Sequence, residues 1–177
     1  LAFWHEDYLP LFALLQGRQG NVFTTRSFRG EVVAALSRRF GYAAWLLPPP
    51  GRGEGAALMR RVLAASPCGA TAVDGPLGPY HVAKSGAVLL AAELGLKLVP
   101  AALAADRAWT LGRRWDRLLI PRPRCRLHLV VGEPLGVPPL IGAAETARWR
   151  GRLTGELTRL GSRAAEDLVA GFASADS

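Results

Sequence analysis

Short apolar runs and longer stretches with helical apolar spacing alternate along the chain. "LAFWH", at the start, is an apolar run closing on a polar residue, the pattern of a buried strand. "DYLPLFALLQGR" then carries helical spacing, with Asp7 placed to cap it and Gly17 to stop it. "NVFTT" is a strand. "FRGEVVAALSRRFG" is a helix with Val32, Val33, Leu36 and Phe40 expected on its buried face and Gly41 at its end. "YAAWLL" is a strand broken by Pro48, Pro49 and Pro50, and "GRGEGAALMRRVLAAS" leads through glycines into a helix. "GATAV" is a strand ending at Asp74; "KSGAVLLAAELG" is a helix; "LKLVPAALAA" and "CRLHLVVGEPL" are strands. "RRWDRLLIPRPRCR", between the last two, is a basic excursion containing prolines. A long amphipathic helix, from Ala144 to about Phe172, closes the chain.

Strands alternating with helices predict an α/β fold with a mainly parallel sheet covered by helices on both faces. The 177 residues are expected to form a single domain. His5, Arg26 and Asp74 each fall just past the carboxyl end of a predicted strand, the edge at which parallel sheets bind ligands.

Composition narrows the classes. Half the residues are hydrophobic, which excludes a disordered chain. The net charge is +8, nearly all of the positive charge being arginine, and favours an anionic partner. Nucleic acid is the weaker candidate, because the aromatic residues sit inside apolar runs instead of among the basic ones. Cys68 and Cys125 have no metal-binding spacing and no disulfide framework. No run reaches the roughly eighteen apolar residues that span a bilayer. The chain opens in an apolar pattern at Leu1, not at Met, so an upstream segment is expected.

Three clusters can carry chemistry. His5, followed by Glu6 and Asp7, is either a general base whose ring a carboxylate orients or a hydrogen-bonding residue at a helix start. "TTRSFRGEVV" gathers Arg26, Arg29 and Glu31 at a helix amino end, as an anion site or as a solvated first turn. "AVDGPLGPYHVAKSGA" sets Asp74 beside Gly75, Pro76, Gly78 and Pro79, with Lys84 following, as a fixed cup or as a plain strand-to-helix turn. Arg52 and its glycines are a further phosphate candidate. That stretch lacks the Lys-Ser/Thr ending of a nucleotide-binding P-loop, and no Gly-x-Ser-x-Gly elbow occurs anywhere. In the last helix Arg148, Arg152, Arg159 and Arg163 share one side, beside a stripe of Trp149, Leu153, Leu157 and Leu160. That basic side is expected either to be solvated or to rest on anionic lipid.

The order of these motifs resembles the lysophospholipid acyltransferase superfamily, and most closely a bacterial, largely uncharacterised branch related more distantly to lipid A acyltransferases. The resemblance rests on "FWHEDYLPLFAL", "TTRSFRGEVVAALSRRFGY", "GRGEGAALMRRVL", "AVDGPLGPYHVAKSGAVLLA" and the stretch from "LVPAALAADRAW" to "VVGEPL". It covers about residues 2 to 138. It implies transfer of an acyl chain from acyl-coenzyme A or acyl carrier protein to a lipid hydroxyl. It also implies no metal or redox cofactor, and a place at the cytoplasmic face of the inner membrane. His5 corresponds to the base that deprotonates the acceptor hydroxyl. The superfamily has a carboxylate five residues after that His, where this chain has Pro10, so the partner falls to Asp7 or Asp74. "DGPLGP" matches the branch's Asp-Gly-Pro-Arg-Gly-Pro with Leu77 in place of Arg, which leaves acceptor phosphate to Arg26, Arg29 or Lys84. The departures at Pro10 and Leu77 keep a second reading open, a degenerate relative that binds anionic lipid without catalysis.

Overall fold

Four parallel strands form the frame on which the chain is built: β1 (Ala2–Phe3), β2 (Asn21–Thr25), β3 (Ala43–Leu47) and β4 (Gly69–Ala72), in the order β1-β4-β2-β3. The computed structural model describes residues 1–49, 53–139 and 142–173. Helices α1 (Tyr8–Leu14), α2 (Phe28–Arg39), α3 (Glu54–Ala65) and α4 (Ser85–Leu94) follow these strands in turn. From β2 to β3 the chain steps one way across the sheet, and from β3 to β4 it steps back. Right-handed crossovers therefore set α2 and α3 on opposite faces.

The expected mainly parallel sheet is only half of the architecture. The later strands β5 (Lys97–Leu98), β6 (Ala101–Ala105), β7 (Ala108–Thr110), β8 (Leu119–Pro121), β9 (Leu127–Val131) and β10 (Leu135–Gly136) all pair antiparallel, as β5 with β10, β6 with β9 and β7 with β8. The fold is mixed α/β. "LKLVPAALAA" and "CRLHLVVGEPL" each break into two strands for one reason. Pro100 has no N–H to give a ladder, and its carbonyl accepts from Gly132 N at 2.8 Å. A Cβ on Gly132 would lie 2.9 Å from Leu160 and 3.0 Å from Pro100, so only glycine lets the two bends cross. An isolated bridge from Ala2 to Pro100 joins this half to β1.

Local chemistry fixes the elements. Ser27 caps α2, its Oγ accepting from Gly30 N at 3.1 Å. The buried face of α2 is Gly30, Ala34 and Ser37, a four-then-three spacing, whereas Val32 is turned outward and 53% exposed. Gly30 is required: a Cβ there would stand 1.7 Å from the Thr25 carbonyl oxygen. Helix α5 (Ala143–Ala173) buries Leu153 and Leu157 among Trp4, Val73, Val88 and Leu98, and Leu160 and Ala164 against Ala102 and Val130. Its Arg148, Arg152, Arg159 and Arg163 lie outside, as the period requires. No helix among the described residues is long and apolar enough to cross a membrane.

Candidate functional site

Where β2 and β4 should run side by side, the sheet opens. Their pairing stops after Val22 and Ala70. Thr71 and Ala72 then pair only with β1, and Phe23 to Thr25 only with β3. The strands splay toward their carboxyl ends, and a cavity of about 610 Å³ occupies the gap. Its walls are mainly apolar, with Phe3, Phe12, Phe23, Met59 and Leu90 among them. That volume is within the ~300–1,000 Å³ of small-molecule sites.

His5 lines this cavity from a 3-10 turn (His5–Asp7) between β1 and α1. Two bonds to one carboxylate fix it. Asp74 Oδ1 accepts from the His5 backbone N at 3.1 Å and lies 3.2 Å from Nδ1. Asp74 is fully buried at the end of β4. With Nδ1–H assigned as donor to Asp74, Nε2 carries the lone pair. A quarter-exposed imidazole so held can take a proton from a group in the cavity.

Of Asp7 and Asp74, the sequence favours Asp74 as the carboxylate nearest His5, and the structure has Asp74 bonded to it. Asp7 makes no hydrogen bond or ion pair with His5 among the described residues. It is 3% exposed; burial first, then the charges of Glu6 and Asp74, push its carboxyl well above the usual carboxylate range. A helix start had suggested a cap, but Asp7 caps nothing with its side chain.

The loop after β4 is held at both ends. Lys84 N donates to the Val73 carbonyl at 2.7 Å, and Arg150 of α5 donates to Ala83 O at 3.0 Å. Of the expected cup, Gly75, Pro76 and Lys84 face the cavity. Gly78 instead lies under Trp115, whose Cε3 would be 2.6 Å from a Cβ at that position. Leu77 points away and is 81% exposed. Arg26, Arg29 and Glu31 are exposed where β2 ends and α2 begins. Arg52 lies outside the described residues.

Several site residues have no local signature. The loop between β7 and β8 roofs the site, with Trp115 5.1 Å from the His5 ring, centroid to centroid. Arg114 on that loop grips buried Asp116 through two bonds, at 2.8 and 2.5 Å. Burial alone would raise the Asp116 carboxyl, but the bond and charge of Arg114 outweigh it and hold it low. The charges of Arg114 and Arg29 both reach Tyr8, whose hydroxyl is nonetheless raised, chiefly by burial. Tyr8 stands edge-on to His5, 6.3 Å between ring centroids. Behind His5, Glu6 accepts from Tyr80 at 2.6 Å and meets His81 Nε2 at 2.7 Å, while His81 stacks between Trp4 and Tyr80. His81 holds a φ of +56°, a left-handed conformation that this bonding and stacking must sustain. Only the adjacency of aromatic and acidic residues to the two motifs hinted at this cluster.

No family model and no solved structure matches the chain. "Uncharacterized protein RP090" of Rickettsia prowazekii (strain Madrid E) is 28% identical over 141 residues, covering 77% of this chain. The chain spans 63% of that relative's length.

Proposed function

We propose that the protein is an acyltransferase that moves a fatty acyl chain from a thioester donor to a hydroxyl of a lysophospholipid or related lipid. One observation carries this reading: a carboxylate-oriented histidine, His5 with Asp74, opens onto an apolar cavity of about 610 Å³. In this mechanism His5 Nε2 removes the acceptor's hydroxyl proton, and the oxygen attacks the thioester carbonyl. The tetrahedral intermediate collapses with loss of the thiolate, which regains the proton from His5. The amino end of α4, without a side-chain cap, meets the cavity at Gly86 and Ala87, and its free N–H groups are donors for the oxyanion. Lys84 lines the cavity and, with Arg29 exposed where β2 gives way to α2, suits an acceptor phosphate, a task that Leu77 cannot perform. Arg26 is a further cation at that edge. The chemistry asks for no metal or redox group.

The test is thiol release from acyl-coenzyme A and from acyl carrier protein, each offered with a panel of lysolipids. Acceptor-dependent release is expected from the wild-type protein. His5→Ala is expected to lower it about a hundredfold to ten-thousandfold, the usual effect of losing a general base. Equal turnover by the variant rejects the mechanism. Lipid binding without acceptor-dependent release selects the degenerate lipid-binding relative instead, a reading that the outward-turned Leu77 favours.

A further inference from the structure

His5 sits on a turn that has little of its own to hold it. The turn (His5–Asp7) is three residues long, with a backbone bond from Asp7 N to Trp4 O at 3.0 Å and no side-chain cap at its start. Such short 3-10 pieces have poor hydrogen-bond geometry, and their successive side chains point about 120° apart. His5 therefore faces the cavity while Glu6 faces the loop after β4. The bonds from Asp74 act on His5 itself. The residues on either side of it are held by another group.

That group is His81. Its ring stacks on Trp4, the residue before His5, with centroids 4.6 Å apart. Its Nε2 lies 2.7 Å from Oε1 of Glu6, the residue after His5. Trp4 Nε1 is buried with no hydrogen-bond partner among the described residues, so packing seats that indole and no bond does. The other oxygen of Glu6 accepts from Tyr80 at 2.6 Å, and Tyr80 stacks on His81 at 3.8 Å. Arg117 of the roof loop lies over the Tyr80 ring, 4.7 Å from its centroid. The turn and the loop are thus tied together twice, and each supplies one histidine and one acid. His5 of the turn meets Asp74 of the loop, and Glu6 of the turn meets His81 of the loop. His81 does this at a φ of +56°, a conformation few non-glycine residues adopt and one that persists where the surroundings over-determine it.

We infer that His81 is a positioning residue for His5. By holding Trp4 with its ring face and Glu6 with its Nε2–H, assigned as the donor, it fixes the turn between them. The imidazole of His5 then keeps its bond to Asp74, and its Nε2 keeps its aim into the cavity. The inference rests on the proposed role of His5 as a base and extends it to a side chain that does not line the cavity. A base must stay within hydrogen-bond reach of the proton it takes. A turn loosened by about 1 Å therefore costs about a hundredfold in rate.

Three substitutions separate the two contacts. His81→Gln keeps an amide N–H for Glu6 and gives up the stack. His81→Phe keeps a ring between Trp4 and Tyr80 and gives up the bond. His81→Ala gives up both. The first readout is proton NMR of the imidazole N–H groups, which needs no substrate. The chain has three histidines, so the His5 Nδ1–H signal is assigned by its loss in His5→Ala. It is expected to exchange slowly with water in the wild type, about tenfold faster in the Gln and Phe variants, and too fast to observe in the Ala variant. The second readout is thiol release. Its kcat is expected to fall about tenfold in the Gln and Phe variants and about a hundredfold in the Ala variant, with KM within about twofold of wild type. Circular dichroism confirms that each variant is folded; if His81→Ala is not, the Gln and Phe variants decide. A purely structural His81 would lower the melting temperature and leave the His5 signal in place. Wild-type exchange in both the Gln and Phe variants, or a wild type with no slowly exchanging His5 signal, overturns the positioning role. Faster exchange in one of them assigns the hold to the contact which that variant gave up. A wild type without thiol release rejects acyl transfer, and the His5 signal then decides the positioning role alone.

Discussion

Two aspartates near one histidine have opposite fates, and burial with hydrogen bonding separates them. Asp74 accepts two bonds from His5, whereas Asp7 is walled in beside two other carboxylates. An acid whose folded pKa is raised keeps a proton that the unfolded chain releases above its ordinary value of about 4. Between those values the folded state binds more protons, so stability falls as pH rises through that window, and the loss is complete above the folded value. Asp7→Asn removes this penalty with little change in side-chain shape. The variant is expected to melt at a higher temperature than wild type at pH 7, with the gap closing toward pH 4. Melting curves across that range check it; an equal gap at both ends refutes the protonation argument. At this scale His5 and Asp74 were legible because the ends of short apolar runs mark one edge of a parallel sheet. Trp115 and Arg114 were not, since a roof loop some hundred residues away in sequence leaves no periodic trace near His5.

Glycine carries contrary meanings in different helices. In α2, Gly30 sits where the helix touches the Thr25 carbonyl, and Gly30→Ala is expected to destabilise by about 1–3 kcal/mol or more, the cost of overpacking. In α5, Gly151 and Gly155 have nothing within 4 Å of where a Cβ would be, and Ala at each is expected to stabilise by about 0.5–1 kcal/mol. Urea unfolding of the three single variants should give opposite signs; a stabilised Gly30→Ala would mean that α2 lies farther from β2. The helices and parallel strands were readable from period and from stopping glycines such as Gly17 and Gly41, yet the buried face of α2 was not. Valine at position 32 is the more apolar choice, but packing distance selected the small residues Gly30, Ala34 and Ser37. The strand breaks at Pro100 and Gly132 likewise needed a partner across the bend before either meant more than a kink.

Over the whole molecule, α5 joins what the strand pairing leaves loosely connected. β1 reaches the antiparallel half through the bridge to Pro100 and the bond from Ala2 N to Val99 O, while α5 packs on β6, β9 and α4 together. Leu157 is wholly buried in the cluster that holds Trp4 and Val73, the residues that follow β1 and β4, and Leu160 one turn on is buried against β6 and β9. A helix that seals two halves also explains why its four poorly helix-forming glycines are tolerated: tertiary burial, not propensity, sustains it. Leu157→Ala is therefore expected to cost about 2–5 kcal/mol, a large part of the roughly 5–15 kcal/mol that holds a domain folded. Val169→Ala, at a position 68% exposed on the same helix, is expected to fall within about 0.5 kcal/mol of wild type. Urea unfolding should be followed by far-ultraviolet circular dichroism and by tryptophan fluorescence. If α5 makes one cooperative unit of the two halves, both signals move to the same lower midpoint in Leu157→Ala, with an unchanged slope. Midpoints that separate in that variant would mean that the halves unfold independently and that α5 belongs to only one of them.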